Sequence, residues 1–138
     1  MIDVEFRGGS EVAPWARVFM EVAGVEKTAE HTGDGPVEAV IEAIKQLTDK
    51  PLLKLRDFDL EAISGGADAQ AKVTLSIEEG GLKSRGQGRH TDVVMASALA
   101  FVNALNQQAY QRQINQRRRE APPAPAVNTK PPKPSSPN

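Results

Sequence analysis

The sequence predicts an α+β domain built by internal duplication, with antiparallel strands layered against two helices that pack on one face. Three observations carry that reading. First, Ala16, Val18, Met20 and Val22 alternate with Arg17, Phe19 and Glu21, and Ala71, Val73, Leu75 and Ile77 alternate with Lys72, Thr74 and Ser76, at a constant offset of 55 residues. Period-two alternation is the mark of a half-buried strand. Second, a turn leads into a helix pattern twice, in "EHTGDGPVEAVIEAI" and again in "GRHTDVVMASALAFV". Third, strands come in runs around each helix. A doubly wound sheet would need regular strand-helix alternation instead.

Taken in chain order, the strand at 16–22 is followed by a turn and a second short strand over 26–30. The helix after it places Val37, Val40, Ile41, Ile44 and Leu47 on one face, and Pro36 suits its first turn because the missing N–H has no partner to lose there. Residues 55–63 read as the next strand, Ser64-Gly65-Gly66-Ala67-Asp68 as a turn, and Gln70 onward as the strand that repeats 16–22. A short strand over 82–85 leads to the second helix, where Val93, Ser97, Ala100, Phe101, Ala104 and Leu105 share a face and Thr91 or Asp92 supplies the cap. By residue pattern the chain is thus β-β-α followed by β-β-β-α, give or take one strand. From Gln107 the helix runs on through polar residues, and the last 18 residues hold seven of the ten prolines, so that segment is expected to be extended or disordered.

Residues 1–111 form the one domain this length allows, and residues 112–138 a basic, proline-rich tail. The first part carries seventeen acids against eleven bases and the tail six bases against one acid. An acidic body argues against nucleic acid as the main partner. No apolar run approaches the ~20 residues that cross a bilayer, the start lacks a secretory pattern, and there is no cysteine, so thiol chemistry is out. A cytoplasmic setting is expected, with no membrane partner.

The segments "TGDGPVEAVIEAI", "DFDLEAISGGADAQAKV" and "GQGRHTDVVMASALAFVNALN", in this order and spacing, resemble the C-terminal regulatory domain of 2-isopropylmalate synthases and the related citramalate synthases, over roughly residues 14–108. The resemblance implies a duplication of βββα units, over about 14–50 and 55–108, that dimerises. It also implies binding of a branched-chain amino acid, leucine favoured, for feedback control of a catalytic acyltransferase barrel. That barrel and its metal ligands are not in this chain, so the expectation is regulation without catalysis, no cofactor and no metal. The alternative is a docking or dimerisation module of the same fold that binds no ligand.

An amino acid needs donors for its carboxylate, acceptors for its ammonium and an apolar wall. By resemblance the polar contacts fall on Gly33, Asp34 and Gly35, with Val37 and Glu38 beside them; a helix start offers free N–H groups and a favourable dipole to a carboxylate. The wall falls on Leu55, Phe58, Ala62, Ala69, Ala71 and Val93. Each has a plainer reading: glycines serve turns without any ligand, and apolar residues at strand and helix spacing are usually core. Asp57, Asp59, Glu61 and Asp68 read as a strand's wet face, His31 and His90 as solvated loop histidines without metal-ligand spacing, and Arg117-Arg118-Arg119 as a solvated helix end. Trp15 is expected in the core or at a dimer interface.

Overall fold

A computed structural model describes residues 2–8, 13–63 and 69–120. The order is β1 (Ile2–Arg7), β2 (Trp15–Val22), β3 (Val25–Thr32), α1 (Pro36–Leu47), β4 (Lys54–Ile63), β5 (Gln70–Glu79), β6 (Leu82–His90) and α2 (Val93–Glu120). Two antiparallel three-stranded sheets result, β1-β2-β3 and β4-β5-β6, each followed by one helix. The molecule is therefore an α+β fold of two βββα units. Described residues up to Gln108 make one compact unit, and residues 109–120 fall outside it.

The first unit gains a strand over the pattern-based reading, because β1 pairs with β2 from Ile2 opposite Met20 to Arg7 opposite Trp15. Ile2, Val4 and Phe6 lie opposite Met20, Val18 and Ala16, so they extend the apolar face of β2. The expected tail is helical as far as Glu120, and the proline-rich stretch lies outside the described residues, as does the 64–68 turn.

The β2–β3 and β5–β6 hairpins each turn in two residues. Ala23 and Gly24 join β2 to β3, and Gly80 and Gly81 join β5 to β6, all four with positive φ. Two left-handed residues in succession match the strand twist. α1 begins at Pro36, buries Ala39, Val40, Ile41, Ala43, Ile44 and Leu47, and packs on β3 and β2. On the other sheet the central strand carries the core: Val73, Leu75 and Ile77 are fully buried, as is Phe101 of α2.

What brings α2 so close is a seam of small residues. A Cβ at Gly88 would lie 2.6 Å from the Ala100 nitrogen and 2.8 Å from Leu99 Cβ, and one at Gly86 would run into the backbone of Ala100 and Ala104. Glycines two apart on β6 thus face alanines four apart on the helix, Ala96, Ala100 and Ala104. Polar bonds fasten the same contact: the Ser84 hydroxyl donates to the Ala104 carbonyl (2.9 Å), and the Asn103 amide to the Gln87 carbonyl (2.6 Å).

Candidate functional site

The predicted polar contacts lie together where β3 turns into α1. The Gly33 N–H donates to the Pro14 carbonyl at 3.4 Å, which ties the turn to the start of β2. A Cβ on Gly33 would come within 2.8 Å of the Ala39 nitrogen, so close packing against the helix alone requires glycine there. Gly35 differs. It is the N-cap of α1 with φ of −156°, an extended conformation open to any residue, and nothing lies within 4 Å of a Cβ built on it. No side chain caps this helix start. Asp34 and Glu38 are exposed beside it, and Val37 is half-buried.

The two helix starts are built differently. At α2 the Asp92 Oδ1 accepts from the Val94 N–H at 2.7 Å and from the Met95 N–H at 3.4 Å, and His90 Nδ1 accepts from the Asp92 N–H at 3.0 Å. Of the two residues read as possible caps, Asp92 makes the contact. His90 ends β6 and His31 lies near the end of β3, both half-buried, so neither is the solvated loop residue expected. Among the described residues no group of three His, Cys, Asp or Glu could hold a metal ion.

Most of the predicted apolar wall sits on the second sheet. Leu55 lies opposite Ile77, Phe58 opposite Leu75 and Ala62 opposite Ala71, and opposed residues share a face. This is the face on which Val73, Leu75 and Ile77 are buried, yet Leu55 and Phe58 stay 40% and 42% exposed because β4 is the sheet's edge strand. Ala69 is exposed just before β5, and Val93 is exposed at the first position of α2. The structure thus gathers Leu55, Phe58, Ala62 and Ala71 on one sheet face, and gathers Gly33, Asp34, Gly35, Val37 and Glu38 at the start of the helix that packs on the other sheet. A surface hollow lined by His31, Glu42, Lys45, Gln46, Asp49 and Pro51 contains none of these residues.

A cluster that the sequence reading did not single out covers the outer face of the first sheet. Arg17 bridges Glu5 (3.3 Å) and Glu30 (2.7 Å), and the Trp15 indole N–H also donates to Glu30 (3.2 Å). The guanidiniums of Arg7 and Arg17 lie 5.6 and 5.2 Å from the centroid of the Trp15 ring. Trp15 is therefore half-buried beneath arginines and not in the core. The register explains the grouping, since Glu5, Arg17 and Glu30 are direct cross-strand neighbours.

Hydrogen bonds from Arg17, then from Trp15, hold the Glu30 carboxyl below its usual range. A carboxylate with a lowered folded-state pKa adds stability above its unfolded pKa, and that stability is lost as pH falls through the folded value. Emission from Trp15, the only tryptophan, is accordingly expected to shift in an acid titration at a pH below the ordinary glutamate range. Glu30→Gln is expected to remove that step.

Two βββα units, one with an uncapped helix start and one with a self-capped start, define a duplicated α+β module; no described helix is long and apolar enough to cross a bilayer. Residues 1–109 match the family model of the LeuA allosteric (dimerisation) domain, and the chain belongs to that family. Similar proteins include the 2-isopropylmalate synthases of Solidesulfovibrio magneticus (46% identical over 103 residues, 74% of this chain and 20% of that protein) and Aquifex aeolicus (36% over 121 residues, 87% and 23%). A putative (R)-citramalate synthase of Methanosphaerula palustris is 36% identical over 110 residues, 79% of this chain and 22% of that protein. The chain spans about a fifth of the length of these relatives. Membership implies self-association.

Proposed function

We propose that this chain is a non-catalytic sensor domain that binds a branched-chain amino acid, leucine favoured, and regulates a 2-isopropylmalate synthase-type acyltransferase in the cytoplasm. The supporting observation is the α1 start, where Gly35 leaves the helix without a side-chain cap and leaves open space around its own Cα. Free N–H groups and the positive end of the helix dipole suit a ligand carboxylate. Asp34 and Glu38 provide acceptors for the ammonium, and the β4–β5 face provides apolar surface. The domain acts as residues 1–111, with the tail from 112 on outside the binding function. Regulation requires that the ligand prefer one of two states of the domain, because only differential affinity shifts an equilibrium.

Thermal unfolding of the chain with leucine, isoleucine and valine tests this. A ligand that prefers the folded state raises the Tm as its concentration passes the Kd, so leucine is expected to produce the largest rise. Unchanged melting with all three contradicts the reading. One observation favours a second reading, a docking or dimerisation module without ligand: Leu55 and Phe58 are not enclosed in a single chain. Under that reading the melting temperature depends on protein concentration and on no amino acid.

A further inference from the structure

The open edge of the second sheet carries a row of acids that the amino-acid reading does not use. Among the described residues β4 has β5 on one side and no strand on the other. Asp57, Asp59 and Glu61 form a row on its outer face, while Phe58 and Leu60 alternate with them on the inner face, at 42% and 50% exposure. Across the ladder the row meets Ser76, Thr74 and Lys72, so two of the three acids have a neutral neighbour. Asp57 has one exposed contact, Lys83 at 3.5 Å, and among the described residues Asp59 and Glu61 make no ion pair. The other edge of this sheet is fastened to α2 by the Asn103–Gln87 bond.

A second copy of β4 is a poor partner for this edge. In any antiparallel pairing of the 57–61 stretch with itself that keeps Phe58 and Leu60 on the apolar face, an acid falls opposite an acid, and like charges directly opposed are destabilising. Charged edges of this sort oppose edge-to-edge self-association. A strand with bases at alternate positions reverses the sign of that interaction while its own apolar residues cover Phe58 and Leu60. We propose that β4 is a docking edge for an extended segment of another protein chain that alternates apolar and basic residues, added as a fourth strand to the β4-β5-β6 sheet. Main-chain bonds supply affinity in strand addition, and the alternating side chains supply specificity.

The test titrates the isotope-labelled chain with an acetylated heptapeptide alternating valine and lysine, followed by amide shifts in NMR. Saturable shifts centred on β4 are expected, with affinity at least about tenfold weaker at high salt and none from the valine-glutamate counterpart. The triple variant Asp57→Asn, Asp59→Asn, Glu61→Gln is expected to lose the lysine peptide while keeping its circular dichroism. The proposal is overturned if the peptide produces no saturable shift, if shifts centre elsewhere, or if the glutamate peptide or the triple variant binds equally. Failure of leucine to bind would leave these outcomes untouched, so the two readings fail separately.

Discussion

Replacing Gly88 with valine is expected to destabilise the domain strongly, lowering its stability by about 3 kcal/mol or more. The clash is with main chain, the Ala100 nitrogen at 2.6 Å from the new Cβ, so no side-chain rotation relieves it. Either α2 lifts from the sheet or β6 bends away. Lifting the helix uncovers Phe101, Ala104 and the β5 core residues, all fully buried now, and leaves the Ser84 and Asn103 bonds unmade. Total stability of a domain is about 5 to 15 kcal/mol, so this loss is a large share of it. Gly86→Val meets the same obstacle one turn further along the helix. Urea denaturation followed by far-ultraviolet circular dichroism measures the change, and a midpoint within error of the parent would show that the seam is looser than described.

Gly35→Val has the opposite profile: folding nearly unchanged, ligand affinity reduced at least about tenfold. The backbone at Gly35 is already extended and the Cβ position is empty, so stability should change by about 1 kcal/mol or less. A branched side chain placed at the uncapped helix start keeps a ligand from the main chain, and each tenfold in affinity corresponds to about 1.4 kcal/mol. Gly33 cannot serve for this comparison. Its hydrogen is needed for packing against Ala39, so a loss of binding there could come from a loss of fold.

The contrast between these glycines shows what the sequence could and could not disclose. Alternation in 16–22 and 71–77, and the i, i+3, i+4 spacing of Val37 through Leu47, made the strands and α1 legible because each buries one face. β1 alternates too, with Ile2, Val4 and Phe6 against Asp3, Glu5 and Arg7, but a six-residue edge strand with one partner declares itself only through pairing. "GQG" reads locally as a glycine turn after a strand ending at Arg85, yet β6 runs through it to His90; its purpose appears only when Ala96, Ala100 and Ala104 arrive opposite it. Trp15 reads by residue type as core or dimer interface, and cross-strand register takes it out of the core, among Arg7, Arg17 and Glu30 on the outer face. The candidate site divided in the same way. The grouping at the α1 start is local in sequence and was readable there, whereas the half-exposed state of Leu55 and Phe58 follows from β4 being an edge, a fact of topology.

The central claim is that the open start of α1 receives an amino-acid carboxylate, and isothermal titration of the intact chain with leucine and with leucinamide tests it most directly. The two share side chain and amine and differ in the carboxylate. Saturable leucine binding, with leucinamide weaker by about tenfold or more in keeping with the loss of a charge-assisted contact, is the predicted result. Equal binding of the two, or no binding of leucine to a folded chain, would contradict it.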